Sequence, residues 1–135
     1  MAKLATEITL TAPNRPGQLA AIGKSLADAG VNIAAISANA IGRGGTIRLL
    51  FANEDGVAAR RALQAAGYRV GRSSIRKVVT VSGAHKPGTL ARLAGRLAKA
   101  KVNVDSLYVA GQTRKRVTLA FGVGKDATKA KRALA

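Results

Sequence analysis

The feature that most constrains how this chain of 135 residues can fold is an internal duplication. Residues 14–19 read NRPGQL, and residues 85–90 read HKPGTL. A constant spacing of 71 residues maps Pro16 to Pro87 and, further along the chain, Asn32 to Asn103. A register that persists over this length indicates that one structural unit occurs twice.

The duplication predicts two small domains rather than one. We place the first at residues 1–71 and the second at residues 75–135. A domain of this size buries only a modest fraction of its surface and is marginally stable alone. We therefore expect the halves to pack on each other and the chain to form a homodimer, since additional buried area offsets chain entropy.

Each copy begins with a strand followed by a helix. Residues 7–11 alternate apolar and polar side chains, which is the period of a half-buried strand. Apolar side chains then recur at helical spacing and predict one buried stripe on each helix, formed by Leu19, Ile22 and Leu26 in the first copy and by Leu90, Leu93 and Leu97 in the second. Asn14 is a candidate helix N-cap or Asx-turn residue, Pro16 suits the first helical position, and Gly30 is a candidate left-handed stop. Lys101 takes the place of Gly30 in the second copy.

The remainder of each copy reads as a two-stranded hairpin followed by a second helix. In the first copy we expect strands at residues 32–40, 46–51 and 68–70, a hairpin turn at 42–45 and an acidic helix start at 53–56. Val57, Ala59, Leu63 and Ala66 supply a short second helix that ends at Gly67. In the second copy we expect strands at 103–110 and 117–121 and a helix at 125–134, without a last strand. Matching Phe51 to Phe121 requires the second hairpin to be one residue shorter than the first.

The order of these elements predicts the fold class. Strand, helix, strand, strand, helix and strand form a four-stranded antiparallel sheet with both helices on one face. The prediction is therefore an α+β protein with a ferredoxin-like βαββαβ sandwich that is duplicated. We expect the two sheets to abut edge to edge, which covers exposed edge strands, and the second copy to lack the last strand.

With this order of elements, the loop motif resembles that of the ACT domain, an amino-acid-sensing regulatory module. The resemblance rests on Asn-Arg-Pro-Gly-x-Leu after the first strand, at residues 14–19, and on Gly-Val-Asn-Ile at residues 30–33, leading into the second strand. Residues 7–70 are similar to a whole ACT domain, and residues 78–135 are similar to one without its last strand. The resemblance implies a protein that binds a small molecule and is not an enzyme.

The resemblance also implies which residues bind the ligand. In the family, the loop after the first strand approaches the ligand with its backbone, a role that carries over to Gly17 and Gly88. Polar residues before the Pro-Gly pair and at the start of the second strand bond the ligand across a domain interface. The implied ligand-binding residues are Asn14, Arg15, Pro16, Gly17, Asn32 and Ile33 in the first copy and His85, Pro87, Gly88, Asn103 and Val104 in the second.

These residues suit an amino acid chemically, because amide side chains both donate and accept and a helix N-terminus favours a carboxylate. We hypothesise two composite sites, one from the Asn14 loop with Asn103 and one from the His85 loop with Asn32. Each residue also has a purely structural interpretation. Asn14 can cap a helix, Asn32 can close a turn, and the two loop glycines can permit tight turns.

The residues that carry catalysis and metal binding are scarce. The chain has no Cys and one His, so disulfides, thiolate nucleophiles and Cys-ligated zinc are excluded. Two phosphate-loop lookalikes, at residues 17–25 and 122–127, fail on glycine spacing and on chain context. We expect no catalytic residue, no metal and no cofactor. Without an apolar run of membrane or signal-peptide length, we expect a cytoplasmic protein with no membrane contact.

The charge is the unusual feature of the composition. The net charge is +17, and residues 72–135 carry 15 basic and 2 acidic side chains while residues 1–71 carry 8 and 4. Such a field attracts an acidic protein partner or nucleic acid. Arg92, Arg96 and Lys99 lie at helical spacing, but the sheet offers few aromatic side chains for base stacking. A solubilising surface explains the charge equally well.

We therefore interpret the chain as a stand-alone regulatory module. It binds an amino acid or similar small metabolite at the interface between its ACT-like domains and signals to a partner protein. A basic ferredoxin-like nucleic-acid-binding protein is the alternative.

Overall fold

The computed structural model describes residues 2–135, except for the side chain of Ile41. Within these residues the chain forms six strands and four α-helices, in the order β1 (Ala2–Pro13), α1 (Gln18–Asp28), β2 (Ala35–Ile41), β3 (Gly44–Ala52), α2 (Gly56–Ala65), β4 (Ile75–Ala84), α3 (Thr89–Lys99), β5 (Ser106–Gln112), β6 (Arg116–Gly122) and α4 (Ala127–Leu134). Short 3₁₀ turns precede α2 and β4. The predicted α+β class and duplicated ferredoxin-like order are confirmed.

The chain divides into two compact units. We call Thr6–Arg76 the first unit, and residues 2–5 together with Lys77–Ala135 the second unit. Strands β1 and β4 each cross this division, because the first residues of each strand belong to one unit and the rest to the other.

The first unit has the strand order β2-β3-β1. Every second side chain of these strands points to the same face of the sheet. On that face, Ile8 and Leu10 of β1 lie in one core with Leu49 and Phe51 of β3. Helices α1 and α2 pack on each other and cover this face, with Leu26 and Leu63 fully buried. The first unit thus has the two-layer arrangement that the periodicity predicts.

The second unit repeats this arrangement around β4, β6 and β5, with α3 and α4 over one core. In the order of the chain no strand follows α4 among the described residues, as predicted. Residues 2–5 of β1, the neighbour of β4 in the strand order, belong to this unit. Ala2 lies in its core and Leu4 packs against that core. The start of β1 therefore takes the place of the missing last strand.

The brief strand predicted at residues 68–70 in the first copy is wrong. The Tyr68 amide donates to Leu63 O of α2, and the Gln64 side chain donates to Val70 O. These hydrogen bonds hold the segment against α2 instead of in a strand ladder. Val70 still contributes a buried side chain to the core.

The predicted hairpin lengths are also wrong. The turn between β2 and β3 has two residues, Gly42 and Arg43, whereas three separate β5 from β6. Ile36 and Leu107 are equivalent at the 71-residue spacing; Ile36 pairs with Leu49, and Leu107 pairs with Phe121. Phe121 therefore corresponds to Leu49 rather than to Phe51. A register shift between Val109 and Gly111 adds a residue to β5, and the second hairpin is longer, not shorter. Strand β2 begins at Ala35, three residues later than predicted.

The helices bury their apolar stripes only in part. Ile22, Leu26 and their equivalents Leu93 and Leu97 are buried as predicted. In contrast, Leu19 is 50% exposed and Leu90 is 49% exposed, because each lies in the first turn of its helix. Val57 also faces solvent rather than the core. No helix in the described part of the chain combines the length and the apolar character that spanning a membrane requires.

Helices α1 and α3 end in the same left-handed turn. Gly30 has φ +71° and Lys101 has φ +59°, and each is followed by an amide that donates to a carbonyl five residues earlier, Val31 to Leu26 and Val102 to Leu97. The predicted role of Gly30 is confirmed. Lys101 adopts the same conformation at a cost, because a side chain disfavours positive φ.

We expect Lys101→Gly to stabilise the protein by about 1 kcal/mol, since glycine adopts this conformation without steric conflict. Urea unfolding monitored by circular dichroism measures the change. Lys101→Ala removes the charge but keeps a β-carbon, and it should give no comparable gain. Equal stabilisation by both variants would attribute the effect to charge and contradict the strain.

Candidate functional site

The loop between β1 and α1 is shaped by Gly17. This residue has φ +84° and is the N-cap of α1, which begins at Gln18 without a side-chain cap. The prediction that Asn14 caps the helix and that Pro16 opens it is therefore wrong. The backbone N–H of Asn14 instead donates to Arg43 O at 2.7 Å, which ties the loop to the β2–β3 hairpin. The Asn14 side chain is exposed.

The second unit repeats this loop. Gly88 has φ +90° at the N-terminus of α3, and the His85 amide donates to Lys115 O at 2.8 Å. Thr89 differs from its equivalent Gln18, because its hydroxyl turns inward and donates to Ala84 O at 2.6 Å. Both loops thus have the same backbone and different side-chain chemistry.

A cavity of about 380 Å³ adjoins the loop of the first unit. Its lining comes from β1, the loop, the first turn of α1 and the β2–β3 hairpin, and it comprises Ala12, Pro13, Asn14, Arg15, Pro16, Gly17, Gln18, Leu19, Ala20, Ala38, Asn39, Ala40, Gly45 and Ile47. Four of the predicted binding residues, Asn14 through Gly17, lie together here. The cavity is in the size range of sites for small molecules.

The cavity has an apolar floor and a polar rim. Ala38 lies opposite Ile47 and Ala40 lies opposite Gly45 across the hairpin, so small side chains leave space beside Leu19. The rim carries the exposed amide of Asn14 and the exposed guanidinium of Arg15. In addition, the first turn of α1 presents backbone amides that no side chain caps. This arrangement suits a ligand with one anionic and one apolar end.

Gln18 is a rim residue whose position is fixed. Its side-chain amide donates to the Tyr68 hydroxyl at 2.8 Å, a contact that bridges α1 and the segment after α2. The amide oxygen of Gln18 remains an acceptor for a ligand ammonium group.

The other predicted binding residues lie outside this cavity. Asn32 is exposed in the segment between α1 and β2, and Ile33 packs against the core of the first unit. In the second unit, the loop residues and Asn103 are exposed while Val104 packs against the core; the loop residues are His85, Pro87 and Gly88. The composite pairing of the loops with Asn32 and Asn103 stays a prediction.

Sequence reasoning missed the hairpin side of the cavity. Ala38 and Gly45 were interpreted as ordinary strand and turn residues, although their small size opens the space. A comparison of the two copies could have indicated the cavity, because the larger side chains of Val109 and Val117 occupy the positions in β5 and β6 that are equivalent to Ala38 and Gly45. The second unit is therefore more filled at the same place.

The described residues also bear on metal binding. Within residues 2–135, no three side chains of His, Asp or Glu gather as metal ligands do. The Glu7 carboxylate is fully buried and accepts a hydrogen bond from Arg76 Nε at 2.8 Å, away from the cavity lining.

Comparisons with known proteins bear on the family and the fold. The ACT domain family model matches residues 6–67. Protein BT0572 from Bacteroides thetaiotaomicron has a similar fold, with a TM-score of 0.83 and 22% identity over 98% of this chain and 88% of that one. The regulatory subunits of aspartate kinase from Thermus thermophilus and Thermus flavus give TM-scores of 0.71 and 0.66, with 19% and 18% identity over 98% of this chain and 93% and 94% of theirs. No curated protein matches the sequence.

Proposed function

We propose that this chain, whose residues 6–67 match the ACT domain family model, is a regulatory protein that binds an amino acid or similar small metabolite. The proposal includes residues 75–135 as a second ACT-like domain. A separate partner protein receives the signal, and the chain works as a homodimer in the cytoplasm. The fold that it shares with the regulatory subunits of aspartate kinase supports a regulatory role.

The observation that carries the proposal is the cavity of the first unit. It brings the loop of the family motif, an exposed cation and an apolar floor together in about 380 Å³. In our proposal, the ligand carboxylate approaches Arg15 and the backbone amides of the first turn of α1, which no side chain caps. Both are donors, and the helix N-terminus adds a favourable potential. The ligand ammonium group is accepted by the side-chain oxygen of Asn14 or Gln18.

The floor determines which amino acid binds. Ala38, Ala40 and Ile47 offer no hydrogen-bonding side chain, so a polar ligand side chain would lose its water without compensation. We therefore propose a ligand with a short apolar side chain, such as valine or leucine. Binding alters the partner's state only if free and bound forms of the chain contact the partner differently.

The two Phe rings of the sheet do not support the alternative of base stacking. Phe51 and Phe121 are fully buried in the cores of their units. The Tyr68 hydroxyl is engaged with Gln18, and Tyr68 is half-buried. Readers of single-stranded RNA need exposed aromatic rings on the sheet, and the buried Phe rings cannot serve.

Calorimetric titration of the full chain with the twenty amino acids tests the proposal. We expect short apolar amino acids to bind and their D-enantiomers to bind much more weakly. At a ligand concentration 100 times Kd, the native state gains about 2.7 kcal/mol, which raises Tm by about 5–10 °C. Arg15→Ala should weaken binding about tenfold or more, because the carboxylate loses its cation. Absence of binding by all twenty at millimolar concentration would remove the proposal.

A further inference from the structure

The helices of the second unit carry an exposed basic surface that ligand binding in the first unit does not use. Arg92, Arg96 and Lys99 lie at i, i+4 and i+7 on α3, and all three are exposed. A second exposed set belongs to α4 and the residues just before it: Lys125, Lys129, Lys131 and Arg132. We call these seven residues the basic helical surface.

Both helices contribute to one layer. Leu93 and Leu97 of α3 and Ala130 and Leu134 of α4 pack into the same core, and the two helices contact each other. The exposed cations therefore lie on the outer side of a single helical layer. An i to i+7 stripe extends about 10 Å along a helix, a length over which duplex nucleic acid carries about six phosphates.

The duplication shows that the fold does not require these cations. The positions equivalent to Arg92, Arg96 and Lys99 in α1 are Ala21, Ser25 and Asp28. The buried positions of the two helices stay apolar at the same register. A general need for solubility would act on both helical layers, whereas the cations are concentrated on one.

The two helices also differ in how their charges are compensated. On α1, Lys24 Nζ lies 2.8 Å from Asp28, and this hydrogen bond raises the pKa of Lys24. For Arg92, Arg96 and Lys99, no acidic side chain among the described residues lies within ion-pair distance. The positive potential of α3 is therefore directed to solvent.

We propose that the basic helical surface binds the phosphate backbone of duplex nucleic acid without reading its sequence. Arginine forks match phosphate oxygens, and backbone binding requires only cations at suitable spacing. A protein partner would require apolar or aromatic anchors at the centre of the surface. The exposed positions between the cations of α3 are Gly95 and Ala98, which provide no such anchor.

Fluorescence anisotropy of the full chain with labelled 20-base-pair duplexes tests this proposal between 50 and 200 mM NaCl, with DNA and RNA in separate arms. We expect micromolar binding at the lowest salt and a linear fall of log K with log salt. The triple variant R92A/R96A/K99A should lower the magnitude of this slope by about 3 and weaken binding at least about tenfold.

The matched control is K24A/R60A/R61A, which removes three exposed cations from the helices of the first unit. Its net charge equals that of the α3 variant, but the three cations that it removes lie outside the basic helical surface. It should therefore change affinity less than about twofold. Circular dichroism verifies that both variants fold. Equal losses in the two variants, absence of binding at 50 mM salt, or tighter binding to polyglutamate than to either duplex would each overturn the proposal. Amino-acid binding should be unchanged in R92A/R96A/K99A, so that the two activities are tested separately.

Discussion

The double variant A38V/G45V is expected to lose ligand binding while keeping its fold. It gives the first unit the side chains that Val109 and Val117 provide at the equivalent positions of the second unit. Two valines fill the floor of a cavity of about 380 Å³ and displace the apolar end of the ligand. We expect affinity to fall at least about a hundredfold, since overpacking and lost burial each cost on the order of 1–3 kcal/mol.

The substitution at Gly45 is feasible because space exists around it. A β-carbon at this position would lie 3.5 Å from the nearest atom, Asn39 O, which is an ordinary contact. Calorimetry measures binding, and urea unfolding verifies stability. Ile36→Val serves as a control on the same strand, since Ile36 does not line the cavity, and it should leave affinity unchanged. Wild-type affinity in A38V/G45V would place the ligand elsewhere.

The sequence predicted most of the fold because its strongest signal is local and repeated. The helical spacing of Ile22 and Leu26, and of Leu93 and Leu97, involves residues close together in the chain, and the 71-residue register repeats it. The structure buries all four side chains. The stop at Gly30 is local as well, since positive φ is a property of one residue.

Pairing between distant segments could not be predicted in the same way. Residues 2–5 complete the second unit although 69 residues lie between Ala5 and the start of β4 at Ile75. Four residues are too few to show a periodicity, and nothing in them indicates which strand they pair with. The segment at 68–70 has strand-like composition, but hydrogen bonds to α2 determine its conformation.

The residues of the candidate site also separate into those in a local motif and those brought together by pairing between segments. The loop of Asn14 and Gly17 is a contiguous motif and was identified directly. Ala38 and Gly45 reach the cavity through hairpin pairing, and Leu19 lines it because the first turn of α1 leaves that side chain exposed. Small or exposed apolar residues carry no chemical signal of their own, so only the three-dimensional arrangement reveals them.

Arg76→Ala is expected to destabilise the protein by about 3 kcal/mol, because it removes a partner from a fully buried carboxylate. Glu7 is 0% exposed, and Arg76 Nε donates to its Oε1 at 2.8 Å. A buried charge that loses a donor is less stable than the same charge in water. Urea unfolding monitored by circular dichroism measures the loss.

The second copy suggests the variant that restores stability. At the 71-residue spacing, Glu7 corresponds to Val78 and Arg76 corresponds to Ala5, and both of these apolar residues are buried. The double variant E7V/R76A therefore reproduces a pair that the same fold already accommodates. Replacing a buried ion pair by apolar side chains is often neutral or stabilising, so we expect the double variant to recover most of the lost stability. A double variant less stable than Arg76→Ala would show that the Glu7 carboxylate stabilises the sheet through its other contacts.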